Sequence, residues 1–367
     1  MENMKLFFKK EPVLGVSLVL ALLSCAVVKP DVKYISYCNF SVLSILFCLM
    51  TIVAGFKKAG VFVFLAKSLS SHVHTEKNMI IVLCMICFFI SALITNDVSL
   101  ITFVPFTIAL MSGQKQNAVI FAVTMETVSA NLGSLVTPIG NPQNLFLYTY
   151  YNMTPSQFFA VSLPLGLICL VAILCILLAR RGDSLSLELS AEKAEAPKKS
   201  AVLFYTVLFA LCIMTVLRFV PYGLTFAVVA AAVLIADRRL FLAVDYILLL
   251  TFVCFFVFVG NAERIPAVYE NMSRLLSGRE IAASAFLCQF ISNVPAAAML
   301  CAFTKNSRGL LIGTNIGGLG TLIASMASLI SFRYISTSQI DTKKYIVFFS
   351  LVNFLLLAGL LLLYKFI

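Results

Sequence analysis

The sequence predicts an all-α polytopic membrane protein with about nine crossing helices, two re-entrant hairpins, and two inverted-topology repeats that contain broken helices. Three observations carry that expectation. The 367 residues are 61% hydrophobic and only 12% charged, whereas a soluble domain carries about a quarter charged residues. Runs close to or above the ~18 apolar residues of a membrane span recur along the chain. Polar clusters interrupt those runs at corresponding places in two halves.

The first apolar run, 13–28, ends at Lys29-Pro30 without a small-residue cleavage site and reads as a retained helix. The first repeat, within 1–181, continues with a span at 34–54 and a mixed, basic segment at 56–77. An apolar hairpin with a polar tip follows at 79–111, then an interrupted span at 117–150 and an uninterrupted one at 157–179. Residues 182–200 form a long hydrophilic linker. The second repeat, within 201–367, opens with spans 201–219 and 222–236 and then repeats the order: 241–260, 262–279, hairpin 280–304, interrupted span 309–332, and 345–364. Interrupted hydrophobic segments in corresponding positions are the mark of a transporter built from repeats. Roughly twelve residues per arm give hairpin 280–304 about 18 Å of reach, too little for a ~30 Å hydrocarbon core. The first hairpin has about sixteen residues to its tip, still short of a full span.

The formal charge of +11 comes from Lys and Arg clustered in short segments between spans. With a cytoplasmic N-terminus, most of the 27 basic residues fall inside, as the positive-inside rule requires. That layout puts the 182–200 linker inside, and 148–156 and Lys305 outside. The leading spans of the two halves are then an odd number of crossings apart, so the repeats are inverted. Hairpin 79–111 opens from the cytoplasm and 280–304 from outside. The expected location is the plasma (cytoplasmic) membrane, multi-pass, with the bilayer as partner and no nucleic acid. All eleven cysteines lie in apolar segments; Cys84 and Cys87 lack a partner His or Cys and read as core. His72 and His74 read as interfacial residues.

Inside the apolar region, "ANLGSLVTPIGNPQNLF" (130–146) brings Asn131, Asn141 and Asn144 together with two glycines and two prolines. Pro138 and Pro142 flank Gly140-Asn141, a sequence that cannot continue a helix. The counterpart in the second half is "GTNIGGLGT" (313–321), and the hairpin tips read "TND" (95–97) and "SNVPA" (292–296). Non-helical backbone at membrane depth persists only where protein buries it or where it lines a wet cavity. Side-chain oxygens and free carbonyls at such breaks are ligands for Na⁺, and half-helix N-termini suit an anion. The candidate substrate- and ion-binding residues are therefore Thr95, Asn96, Asp97, Asn131, Gly133, Thr137, Gly140, Asn141, Ser292, Asn293, Thr314, Asn315 and Gly317. Asn96 and Asn131 correspond to Asn293 and Asn315. Interhelical hydrogen bonding explains a lone membrane Asn; four polar breaks in symmetric order favour a site.

These motifs, with "ITNDVSLITFVPF" and "FISNVPAAAML", resemble the anion-permease branch of the ion transporter superfamily over essentially the whole chain. That group includes citrate and divalent-anion/sodium symporters, arsenite permeases and a sodium/proton antiporter family. The resemblance implies the repeat fold and a homodimer. In divalent-anion/sodium symporters both tips read Ser-Asn-Thr, with Asn and Thr contacting a carboxylate and neighbouring carbonyls holding Na⁺. Here they read Thr-Asn-Asp and Ser-Asn-Val, and the first is closer to the arsenite and antiporter members.

Ionisable groups within a membrane are costly and functional by default. Asp97, at a tip, and Glu126, before the first break, are candidates for proton or ion coupling. A structural cap is the alternative for Asp97, and a buried hydrogen-bonded pair for Glu126. Asp245, near the cytoplasmic face, is expected to snorkel or to pair with Arg238 or Arg239. The expected function is a secondary active permease for a small anion, a carboxylate or inorganic oxyanion, coupled to Na⁺ or H⁺. A Na⁺/H⁺ antiporter or arsenite-type efflux permease is the alternative within transport; a channel-like pore is the alternative outside it. The chain has no HExxH, GxSxG or GxxxxGK[ST], so neither an enzyme nor a nucleotide-driven pump is expected. No cofactor is expected besides the coupling ion, and no metal besides transported Na⁺.

Overall fold

Lipid offers no partner to backbone N–H and C=O groups, so an apolar run that crosses it must satisfy them within its own helix. The computed structural model describes residues 12–70, 73, 75–111, 113–180 and 196–364. Among these it has eighteen α-helices and no strand, and the chain is an all-α polytopic membrane protein. The expectations for His72, His74, linker residues 182–195 and the N-terminal lysines Lys5, Lys9 and Lys10 lie outside the described residues.

In order the helices are α1 (Pro12–Val27), α2 (Lys33–Tyr37), α3 (Phe40–Lys58), α4 (Val61–Ser70), α5 (Glu76–Leu93), α6 (Asn96–Leu110), α7 (Gln116–Gly133), α8 (Pro142–Tyr150) and α9 (Pro155–Ala179). After the linker come α10 (Lys199–Val216), α11 (Tyr222–Asp237), α12 (Tyr246–Glu263), α13 (Pro266–Leu276), α14 (Glu280–Ile291), α15 (Asn293–Leu300), α16 (Ser307–Ile316), α17 (Met326–Ser336) and α18 (Thr342–Tyr364). The run α3–α9 and the run α12–α18 have the same order of long, short and broken helices.

Among the described residues seven helices are long and apolar enough to cross a bilayer. Six of them fall on expected crossings; the seventh is α5, the first arm of hairpin 79–111. At 18 residues, or about 27 Å, α5 is longer than expected. It starts three residues early because Thr75 caps it, accepting from Asn78 N at 3.2 Å, and because Glu76 is buried against Arg180. The expected crossings 13–28 and 222–236 are helices of 16 residues each, and 309–332 is the pair α16 and α17. Arms α14 and α15 have 12 and 8 residues, about 18 and 12 Å.

Both breaks are displaced from where the sequence puts them. Helix α7 runs through Asn131 to Gly133 and tightens into a 3₁₀ turn at Ser134–Val136, so only 137–141 leaves helical geometry. Asn131 and Gly133 keep the helix because the amide finds side-chain partners and the glycine admits close packing: a Cβ at 133 would overlap the Phe88 carbonyl of α5. The second break covers 317–325, with Gly320 at φ +108°, so Thr314 and Asn315 are still helical.

Helix α7 sits at the centre, with 89% of its span window buried, whereas the windows of α9 and α18 are 28% and 22% buried and turn leucines outward. Each first hairpin arm packs on the first half of its own broken helix, α5 on α7 and α14 on α16. The second arms also reach across: besides the first half of its own broken helix, α6 packs on α17, and α15 on α8. Each half thereby supports the other's break.

Candidate functional site

The crossed packing brings asparagines from both halves into one hydrogen-bonded network. Asn141, in extended backbone, caps α8 by accepting from Asn144 N at 2.8 Å, and Pro142 follows at the first helical position, where its missing N–H is no loss. Ser325 and Ser328 occupy the same two positions at the start of α17. Asn315 donates to Asn144 Oδ1 at 2.6 Å and accepts from Asn141 Nδ2 at 3.0 Å. Asn131 does the same to the other half: it donates to Ser328 Oγ at 3.2 Å and accepts from Ser325 Oγ at 3.0 Å. Each half-helix thus offers one amide to the cap and the third residue of the opposite half-helix.

The two exchanges are joined. Asn96, at the first tip, donates to Asn131 Oδ1 at 3.1 Å. Ser134 Oγ donates to the Asn131 carbonyl at 2.8 Å and accepts from Asn141 Nδ2 at 3.0 Å. All of these side chains are buried. An unpartnered buried amide would cost about 1–3 kcal/mol, so the network is worth holding together.

Both tips are tied to the opposing break of their own half by main-chain bonds. Asn96 N donates to Gly140 O at 3.1 Å, and Asn293 N to Ala324 O at 2.9 Å. The Asn293 side chain bonds locally, to Val294 N at 2.9 Å and Ser292 Oγ at 3.3 Å, and is not bonded to the asparagine network among the described residues; its backbone N reaches the Ala324 carbonyl, next to Ser325. Ser292 holds φ +76°, a conformation rare for a non-glycine residue and typical of functional sites.

Side-chain amides also satisfy the unwound backbone. Asn144 Nδ2 faces the carbonyls of Ser134, Leu135 and Thr137 at 3.3, 3.3 and 3.1 Å. In the second break Gln289 of α14 plays that part, donating to Gly317 O at 3.0 Å and Leu319 O at 2.9 Å and accepting from Thr321 N at 2.9 Å.

The other expected residues are placed less centrally. Thr95 caps α6 and Thr137 donates to Ala92 O. Thr314 donates back to Leu310 O of its own helix at 2.7 Å. Gly133, Gly140 and Gly317 permit close backbone approach, to Phe88, Ser134 and Ala285. Asp97 is half-buried, and its backbone N donates to Asn96 Oδ1 at 3.1 Å. Thr95, not Asp97, is the cap of α6. Glu126 lies fully buried on α7; Thr107 donates to its Oε1, while Oε2 has no partner among the described residues. Asp245 caps α12, accepting from Leu248 N at 2.9 Å, and forms no ion pair with Arg238 or Arg239 among the described residues.

The expected set omits Ser134, Asn144, Gln289, Ser325 and Ser328. The repeat of a polar residue three positions after the cap, Asn141 to Asn144 and Ser325 to Ser328, was a usable signal. Its second half lies past residue 321, where the sequence reading ends the second break.

The model of the citrate transporter family matches residues 6–309. An uncharacterised transporter of Methanocaldococcus jannaschii is 34% identical over 263 residues, 70% of this chain and 71% of its own. An inner membrane protein of Escherichia coli is 29% identical over 296 residues, 80% of this chain and 79% of its own. A silicon efflux transporter of Oryza sativa is 33% identical over 121 residues, 33% of this chain and 24% of its own.

Proposed function

The chain belongs to the citrate transporter family and is a membrane transporter rather than an enzyme, and on that footing we propose that it is a secondary active permease of the plasma membrane. Its solute is a small anion, a carboxylate or an inorganic oxyanion, and its driving force is a Na⁺ or H⁺ gradient. The observation that supports this best is the crossed exchange at the two breaks, where Asn131 and Asn315 each reach the opposite half. Groups that both halves hold jointly are released when the halves move apart, which is what alternating access requires.

In this reading the binding set is Thr95, Asn96, Asp97, Asn131, Thr137, Gly140, Asn141, Ser292, Asn293 and Asn315, with Gly133, Thr314 and Gly317 shaping the backbone around them. The hairpins 79–111 and 280–304 are re-entrant and the repeats inverted. Asp97 or Glu126 carries the coupling charge. An efflux direction is the second reading, favoured by the similarity to a silicon efflux transporter.

The test is a thermal-shift screen of the purified protein against citrate, other carboxylates and oxyanions, with and without Na⁺ and at several pH values. A ligand at 100 times its Kd raises apparent stability by about 2.7 kcal/mol. One anion that stabilises only with its coupling ion is the expected result; a panel without effect contradicts it.

A further inference from the structure

A cavity of about 640 Å³ lies away from the network, between the N-terminal ends of α7 and α18. Arg180, Lys343, Lys344 and Asn117 line its polar side, and Phe121 and Phe348 are among the apolar residues of its wall. Arg180 stacks over the Phe121 ring at 4.2 Å, and the Phe121 and Phe348 rings lie 6.0 Å apart.

Its charge is unbalanced. Arg180 pairs with Glu76, yet its Nε is buried and has no hydrogen-bond partner among the described residues. Lys343 and Lys344 are exposed, and neither ammonium forms an ion pair among those residues. The nearby Asp341 carboxylate accepts instead from the backbone N–H groups of Lys343 and Lys344, at 3.0 and 3.1 Å. Below the lysines, Val347, Leu351 and Leu355 follow at four-residue spacing along α18, 69%, 57% and 65% exposed. That spacing puts them on one face.

We propose that this cavity binds one anionic phospholipid, with the phosphate between Lys343, Lys344 and Arg180 and an acyl chain along the Val347–Leu355 stripe. Cations beside an apolar strip at the mouth of membrane helices suit an amphipathic anion. A free phosphate has no use for the strip, and a zwitterionic lipid brings its own cation.

The purified protein in neutral detergent is titrated with phosphatidylglycerol, with phosphatidylcholine of the same chains, and with inorganic phosphate, reading the thermal midpoint and bound lipid by native mass spectrometry. Phosphatidylglycerol alone should stabilise and remain bound. Lys343→Gln with Lys344→Gln should weaken it about 30-fold while leaving the lipid-free midpoint unchanged, since both side chains are exposed. Lys305→Gln, an exposed cation elsewhere, should leave it unaltered. Equal stabilisation by phosphatidylcholine, an equal response to phosphate, retained binding in the double variant, or an equal loss in Lys305→Gln each overturns the assignment.

Discussion

At the residue scale, the account rests on amides that are each bonded to the other half. Asn315→Ala removes the partner of both Asn141 and Asn144, and Asn131→Ala that of Asn96, Ser325 and Ser328. Each change should lower stability by about 1–3 kcal/mol and reduce transport at least about tenfold, an effect of some 1.4 kcal/mol. Uptake assays and thermal midpoints on both variants check this; wild-type uptake in either removes that residue from the mechanism. Asp97 offers a separate test. A carboxylate at membrane depth is tolerated when it carries a proton or a cation for function. If it couples the driving ion, Asp97→Asn should still exchange solute but fail to accumulate it against a gradient. The cap is already supplied by Thr95, so concentrative uptake by this variant means that the coupling charge lies elsewhere, with Glu126 the remaining member of the proposed pair.

At the element scale, the broken helices depend on glycines that let them sit against the hairpin arms. A Cβ at Gly313 would stand 2.7 Å from the Ile281 backbone, and one at Gly317 2.7 Å from the Ala285 Cα. Gly313→Ala should therefore cost about 1–3 kcal/mol of stability, measured as a lowered thermal midpoint, whereas Ala at Gly223, which has open space around it, should change little. The existence of the long apolar helices, their order and the two breaks were legible in the sequence, because hydrophobic runs and Pro-Gly-Asn punctuation are local signals; the short helices α2, α4 and α13 were not. The exact breaks were not. Whether Asn131 belongs to a helix or a loop depends on Ser325 and Ser328, almost two hundred residues away, and no local pattern carries that. Gln289 escaped for the same reason: in sequence it is one amide in an apolar arm, and only the fold sets it against the Gly317 and Leu319 carbonyls.

At the scale of the whole molecule, the order of α3–α9 recurs in α12–α18, and the proposed inversion fixes which ends face which side. Single cysteines at Ser190 and Lys305, on a background without the native cysteines, should divide: the membrane-impermeant reagent should reach Lys305→Cys from outside, and Ser190→Cys only after the membrane is opened. The reverse pattern contradicts the proposed orientation. The central claim, a gradient-driven carrier whose site is shared by both halves, is tested most directly by solute flux into proteoliposomes under an imposed Na⁺ or proton gradient. Wild-type protein should give saturable, concentrative uptake of the anion found by the thermal-shift screen, and Asn131→Ala and Asn315→Ala should each abolish it. Flux that rises linearly with concentration, needs no gradient and survives both substitutions would contradict the account.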